Sequence, residues 1–291
     1  MPLARQCCRV GRRTLERQFP HLRQHRVRRG LGGHLDRGGL VAEVHGHGGE
    51  LRGLEQALRQ EVLPGVLRHE VEAPGRVDRL LGFGGMRFGA IKNRERSVAL
   101  MLEAARAGVT YFDTAPDYFG TRSEETFGDA FREMRRLGLP FLSATKTFES
   151  TERGIRDEIE AQLARLGVPA IDFYHAWCIK SREGWAERKA NGLVATFRKL
   201  KEEGLVRHLC VSSHLIGDEI RELLMEGVFE GVLFGYSAYN FHAREKAFEA
   251  ITARHLGAVV MNPLGGGLIP QNPRVFDFIR DSSGDWSLPS V

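Results

Sequence analysis

The stretch Phe112-Asp113-Thr114-Ala115-Pro116-Asp117-Tyr118 says more about the fold than any other part of the chain. The apolar run before it predicts a short buried strand that ends at Asp113, with Tyr118 in the following loop. A second short strand, 141–145, leads to Lys146. A lysine cation stabilises a phenolate and so lowers a tyrosine pKa from about 10. A buried lysine in turn needs a carboxylate partner. The carboxylate of Asp113, the phenol of Tyr118 and the amine of Lys146, at or just after successive strand ends, therefore predict a group of residues that donates a proton.

From residue 79 onward, short apolar strands alternate with amphipathic helices, a pattern typical of a parallel α/β barrel. Active sites of such barrels lie at the carboxyl ends of the strands. We predict strands near 80–83, 108–113, 141–146, 172–177, 208–211, 231–234 and 258–261, and helices near 94–107, 124–136, 152–166, 185–203, 218–226 and 244–255. No eighth strand or closing helix is recognisable, so we expect a (β/α)8 TIM-type barrel that is incomplete.

The first 76 residues differ in composition from the rest. They hold fourteen arginines, no lysine and eight acidic residues, a net charge of +6, whereas the whole chain carries +5. They show no convincing helix or strand period. One interpretation is a basic arm that binds nucleic acid; the alternatives are a disordered tail or mistranslated sequence. We predict two regions: an irregular extension over 1–76, without an assigned function, and a barrel over 77–291 truncated at its C-terminus.

Composition excludes several classes of protein. No run of eighteen apolar residues is present, so we expect no membrane span. The basic start lacks the apolar segment of a secretory signal. The cysteines, Cys7, Cys8, Cys178 and Cys210, have neither disulfide-framework nor zinc-site spacing, which fits a reducing compartment. We therefore expect a cytoplasmic protein without a metal site and without a nucleic-acid partner.

Several motifs, in this order and spacing, resemble the aldo-keto reductase family. They are Leu81-Gly82-Phe83-Gly84-Gly85-Met86, the stretch 112–118 with Ser123-Glu124-Glu125, Thr145-Lys146, Ile171-Asp172-Phe173-Tyr174, Val211-Ser212-Ser213 and Asn262-Pro263-Leu264-Gly265. The resemblance implies a (β/α)8 barrel that reduces a small-molecule aldehyde, ketone or quinone with NADPH or NADH. It also implies that Tyr118 donates the proton, Lys146 lowers its pKa, and Asp113 holds Lys146 charged and oriented.

His175 is where the sequence departs from the family. The usual family strand reads Asp, an aromatic residue, Tyr, two further residues and His, and here Trp177 stands at the histidine place. His175 lies two residues earlier and points the same way, because side chains in a strand repeat with period two. It is either a fourth catalytic residue that reaches the substrate oxygen from a lower layer or a core histidine beneath a tryptophan that lines the pocket.

The resemblance also implies the residues that bind the cofactor. Ser212 and Ser213 match the place that binds the nicotinamide carboxamide, although Ser213 replaces a common Asn. Tyr236 stands where Gln is frequent, and Met261 where many members stack an aromatic ring on nicotinamide. The run Pro263-Leu264-Gly265 would pass close to the pyrophosphate, since glycine allows close backbone approach.

The C-terminal part leaves two further expectations. The family's loop after strand eight, which holds the adenosine phosphates, is not recognisable, so we expect weak or absent NADPH binding. The run 263–273 is similar to a subgroup with a ferredoxin-like extension, but the closely spaced cysteines of a cluster are missing here. Trp177 and the missing loop both favour an alternative function, a regulatory barrel that binds nucleotide with little turnover.

Overall fold

Seven parallel strands form one sheet in chain order, each pairing with the next, in a computed structural model that describes residues 81–86, 93–118, 122–237 and 240–272. The strands are β1 Gly82–Gly84, β2 Tyr111–Asp113, β3 Leu142–Thr147, β4 Ile171–Ile179, β5 Val206–Ser213, β6 Gly231–Gly235 and β7 Gly257–Met261. Parallel neighbours in sequence order, joined by helices, are the arrangement of a (β/α)8 barrel, of which the described residues hold seven strands. The predictions for 1–76, for an eighth strand and for a cluster-bearing extension lie outside the described residues.

Eight α-helices lie in the described ranges. They are α1 Arg94–Arg106, α2 Arg122–Arg136, α3 Glu152–Leu166, α4 Arg182–Ala190, α5 Leu193–Glu202, α6 Gly217–Met225, α7 Glu245–Arg254 and α8 Leu268–Gln271, with a 3₁₀ turn at Phe241–Arg244. Sequence signals explain their ends. Thr151 accepts a hydrogen bond from the Gly154 N–H and caps α3, which ends at Gly167 in the left-handed conformation.

The core between sheet and helices is aromatic around β2. Phe127, Phe131 and Met134 recur on one face of α2 and are fully buried. The ring of Phe112 on β2 meets Phe127 and Phe131 edge-on, with centroids 6.5 and 6.0 Å apart. Full burial of such side chains stabilises the fold by about 1.5–3 kcal/mol each. This packing fixes the strand that ends at Asp113.

The single helix predicted over 185–203 is wrong. The chain forms two helices, α4 and α5, with Trp185 buried in the first and Phe197 in the second. Gly192 between them has φ 96°. A positive φ is incompatible with a continuous right-handed helix, and glycine adopts it without a Cβ clash.

Strand β4 extends past its predicted end and carries an irregularity there. Its pairing with β5 shifts between Ala176, which pairs with Val211, and Ile179, which pairs with Ser213. Cys178 has φ 62°. An extra residue in one strand is a β-bulge, which bends the strand and changes the direction of nearby side chains. The bulge lies at the carboxyl end of β4, where the candidate site is.

Candidate active site

The ends of β2, β3 and β4 bring three of the predicted site residues together. Lys146 on β3 pairs in register with His175 on β4, and Asp113 ends the neighbouring strand β2. All three are buried. The strand-end placement predicted from the sequence therefore puts these polar side chains in one buried cluster.

Lys146 is held on three sides by oxygen acceptors. Its ammonium donates to both carboxylate oxygens of Asp113, at 2.7 and 2.6 Å, and to the backbone carbonyl of Thr114, at 2.7 Å. Burial raises the pKa of Asp113 and lowers the pKa of Lys146, while the contact between them opposes both shifts. We assign the pair as ionised, because three charge-assisted hydrogen bonds at these distances satisfy the ammonium.

Tyr118 lies against this ammonium. The Nζ atom of Lys146 is 5.4 Å from the centroid of the Tyr118 ring, within the range of a cation–π contact. A tight turn holds the tyrosine, whose N–H donates to the Ala115 carbonyl at 3.2 Å. Its ring meets Trp177 edge-on, with centroids 5.7 Å apart. The phenol is half-buried between a cation and an indole.

His175 is buried on β4, next to Lys146 in the register of the sheet. Its Nδ1 lies 3.2 Å from the carbonyl oxygen of Thr145. Burial first, and then the charge of Lys146, lower the pKa of His175 to about 3. The imidazole is therefore neutral at physiological pH, and an Nδ1–H tautomer donates to that carbonyl. Both hypotheses for His175, a catalytic role and a core role, stay open.

A buried carboxylate beneath Lys146 was not predicted as a site residue. Glu124 on α2 is fully buried and accepts hydrogen bonds from Thr145 at 2.6 Å, Gln162 at 3.1 Å and Arg165 at 2.7 Å. Gln162 also donates to the Lys146 carbonyl at 2.8 Å. These bonds join α2 and α3 to the backbone of β3 at the lysine. The sequence carried a signal, since Glu124 shares the apolar face of α2 with Phe127, and a charge on that face needs a partner.

A second carboxyl, Glu158 on α3, packs beside Thr147 at the same end of β3. The Thr147 hydroxyl donates to it. Burial raises the pKa of Glu158 to about 7. Because the folded-state pKa lies above the ordinary value, the protonated carboxyl stabilises the fold at low pH, and this stabilisation is lost as pH rises through about 7.

We expect Glu158→Gln to stabilise the protein relative to the parent at pH 8 but not at pH 5. Glutamine cannot ionise, so it escapes the cost of a buried charge. Because Glu158 is partly exposed, solvent screens part of this cost, and we expect the free energy of unfolding to rise by about 1–2 kcal/mol at pH 8. Denaturant unfolding at both pH values measures it. Glu160→Gln, an exposed position on α3, is the control, and a gain independent of pH would contradict the explanation.

The predicted nicotinamide-binding residues differ in their surroundings. Ser212 and Ser213 are buried at the end of β5. The Ser213 hydroxyl accepts a hydrogen bond from the Leu215 N–H at 3.1 Å, and this bond stabilises the turn after β5. Tyr236 packs edge-on against Phe248 of α7, with centroids 4.8 Å apart. That contact lies on the helix side of the sheet, and the structure does not bring the Tyr236 ring together with Lys146.

The segment after β7 turns on glycines. Met261 ends β7 and is half-buried, and Pro263 and Leu264 follow it. Gly265, Gly266 and Gly267 have φ values of 67°, 66° and 88°. The Gly265 N–H donates to the carbonyl of Asn262 at 2.9 Å. Glycines carry no side chain, so a ligand can approach the backbone closely here.

The described ranges contain neither a membrane span nor a group of metal ligands. None of the helices there is long and apolar enough to cross a membrane. Among the same residues, no three His, Cys, Asp or Glu side chains are grouped so as to hold a metal ion.

Comparison with known sequences decides the family. The sequence model of the aldo/keto reductase family matches residues 80–284. This chain belongs to the aldo/keto reductase family. The match covers the described strands and helices of the barrel, including the residues around Lys146.

Curated relatives of this aldo/keto reductase are distant. It is 24% identical over 202 residues to an uncharacterized oxidoreductase of Bacillus subtilis, covering 66% of this chain and 63% of the relative. It is 26% identical over 205 residues to an NADH-specific methylglyoxal reductase of Escherichia coli, covering 64% of this chain and 62% of the relative. The chain thus spans less than two thirds of the length of these relatives.

Solved structures agree on the fold. An aldo-keto reductase from Klebsiella pneumoniae in complex with NADPH superposes with a TM-score of 0.51 at 20% identity, covering 62% of each chain. At this identity the likeness supports the barrel architecture alone. The predicted (β/α)8-type barrel is confirmed, with seven of its strands in the described residues.

Proposed function

We propose that this protein reduces the carbonyl group of an aldehyde, ketone or quinone to an alcohol, with NADPH or NADH as the hydride source and Tyr118 as the proton donor. One observation carries the proposal. The Lys146 ammonium is bonded to both oxygens of Asp113 and lies 5.4 Å from the centroid of the Tyr118 ring. A cation at this position would favour the phenolate that proton transfer leaves behind.

The residues of the chain would act in a simple order. Tyr118 would give its hydroxyl proton to the carbonyl oxygen as negative charge develops there. Lys146 would stabilise the phenolate that remains, and Asp113 would keep Lys146 charged throughout. Burial strengthens these interactions, because little water screens them. His175, neutral and next to Lys146 in the register of the sheet, would orient the oxygen if it takes part.

The residues at the carboxyl ends of β5 and β7, and those just after β7, fit a dinucleotide in part. Ser212, Met261 and the run Pro263-Leu264-Gly265 would hold it, since Gly265 has no side chain to keep an anionic group from the backbone. Ser213 and Tyr236 would contribute less. The Ser213 hydroxyl already accepts a hydrogen bond from the Leu215 N–H, and the Tyr236 ring packs against Phe248. A bound nicotinamide cofactor supplies the hydride. The relatives favour this cofactor class, since one is named NADH-specific and one solved structure holds NADPH.

A second candidate function is a nucleotide-binding barrel with little turnover. Trp177 stands where the family pattern has histidine, and its ring is stacked against Phe148 with centroids 4.0 Å apart. An indole cannot accept a hydrogen bond or exchange a proton as an imidazole does. A barrel of this kind would bind the cofactor and leave carbonyl compounds unreduced.

The test is NADPH consumption with a panel of aldehydes, ketones and quinones. The cofactor concentration is raised until the rate no longer increases, so that weak binding does not hide turnover. We expect oxidation of NADPH that depends on the carbonyl compound and yields the alcohol. Cofactor binding by fluorescence titration, without carbonyl-dependent oxidation of NADPH or NADH, would favour the second candidate instead.

A further inference from the structure

Three aromatic side chains form a continuous wall beside the candidate proton donor. The ring of Tyr118 meets Trp177 edge-on at 5.7 Å, and Trp177 stacks on Phe148 at 4.0 Å with an interplanar angle of 20°. Trp177 is 9% exposed, whereas Tyr118 and Phe148 are each half-buried. The Trp177 and Phe148 rings cover each other's faces, so the apolar surface that they offer is made of ring edges, against which an aromatic ligand can pack edge-to-face. The wall runs outward from Tyr118 to Phe148.

A guanidinium group stands at the outer end of this wall. Arg188 reaches back from α4, and its Cζ lies 5.8 Å from the centroid of the Phe148 ring. Its Nη1 donates to the backbone carbonyl of Trp177 at 2.8 Å. That carbonyl lies in the β-bulge of β4, where the pairing with β5 shifts. The bulge therefore orients both the indole and the arginine that marks the end of the wall.

The Arg188 charge is not neutralised by an ion pair within the described part of the chain. Neighbouring cations on the same helix have such pairs, Arg182 with Glu222 and Lys189 with Glu226. Arg188 contacts the Trp177 carbonyl and the Phe148 ring. Burial lowers the pKa of its guanidinium, and the electrostatic effects of Cys178, Glu187 and Glu149 oppose this shift only in part. Among the described residues, its Nε and Nη2 have no hydrogen-bond acceptor.

A half-buried guanidinium of this kind favours an anion. Burial of an uncompensated charge is costly, and a carboxylate removes the cost with short charge-assisted hydrogen bonds. The planar fork of arginine matches a carboxylate with two parallel bonds, and the adjacent aromatic surface matches a ring that carries the carboxylate. An aromatic wall with a cation at one end and a proton donor at the other is complementary to a planar carbonyl compound with an acidic group.

We propose that Arg188 binds the carboxylate of a planar carbonyl substrate whose ring lies along Tyr118, Trp177 and Phe148. The assignment of this ligand as a substrate rests on the proposed reduction at Tyr118. Binding of the carboxylate itself needs no cofactor and no turnover. Arg188 is thus a residue that determines specificity, in addition to its bond to the Trp177 carbonyl.

The experiment compares binding of acids with their neutral amides by calorimetry, without cofactor. The probes are para-formylbenzoate with para-formylbenzamide, and the longer para-formylphenoxyacetate with its amide, so that the span between aldehyde and carboxylate is varied. We expect at least one acid to bind about tenfold more tightly than its amide, the ratio that a hydrogen bond to a charged group commonly gives. Arg188→Met should abolish the preference, and Arg188→Lys should retain part of it.

The control is Lys189→Met, which removes a cation from the next position, where Lys189 pairs with Glu226 on the surface. It should leave the preference unchanged. Equal binding of acid and amide by the parent protein, or no binding of either, overturns the proposal without any variant. A preference that survives in folded Arg188→Met overturns it too. Reduction of the neutral amide, followed by NADPH consumption, tests the proposed function separately.

Discussion

Tyr118→Phe should lower kcat for carbonyl reduction by about 10²–10⁴-fold, the range that a positioned general acid contributes. Phenylalanine keeps the ring against Trp177 and the cation–π contact with Lys146 but has no proton to give. Because only the hydroxyl is lost, we expect the fold and the dissociation constant for NADPH to remain within about twofold of the parent. Steady-state kinetics and a cofactor titration measure the two quantities.

The chain offers a matched control in Tyr174→Phe. Tyr174 lies on β4, and its ring packs against Phe197 of α5, with centroids 5.3 Å apart, on the helix side of the sheet. The same chemical change there should leave kcat unaltered. A Tyr118→Phe variant with the kcat of the parent would remove the phenol from the mechanism. Equal losses in both variants would point to a general effect of hydroxyl removal on the fold.

The order of the strands could be predicted from the sequence, because apolar runs and helical faces repeat without interruption after residue 79. The same pattern put Asp113 and Lys146 at neighbouring strand ends, and the structure brings them into contact. When strands pair in parallel and in chain order, residues at the ends of consecutive strands must lie close together. The contact between Asp113 and Lys146 therefore follows from local sequence.

Features that depend on backbone conformation could not be predicted. The bulge near Cys178 is not visible as a sequence pattern, so nothing in the sequence indicated that the Trp177 carbonyl would accept a bond from Arg188. The sequence pattern places Gly192 inside a long helix, because an isolated glycine lowers the stability of a helix by only about 1 kcal/mol relative to alanine. Glu124 could have been recognised from its apolar neighbours, but its partners on β3 and α3 are distant in sequence.

The ion pair of Lys146 and Asp113 should be the most sensitive point of the fold. Their side chains are 1% and 10% exposed. Lys146→Met would leave a buried carboxylate and the Thr114 carbonyl without their donor, and breaking a buried pair costs about 3–5 kcal/mol. Urea unfolding would measure the loss. Lys199→Met, which breaks a half-exposed pair with Glu152, should cost less than about 1 kcal/mol.

Lys146→Met loses stability both because the ion pair is gone and because the Asp113 carboxylate stays buried without a partner. The double variant Asp113→Leu with Lys146→Met distinguishes these two causes. Two apolar side chains of similar volume need no partners, so the double variant should recover most of the stability that Lys146→Met loses. The loss in Lys146→Met should also grow with pH. Burial already raises the pKa of Asp113, and removal of the cation raises it further, so the folded state loses stability as pH rises through that value. A double variant no more stable than Lys146→Met, with no pH dependence in either, would show that the pair acts through packing rather than charge.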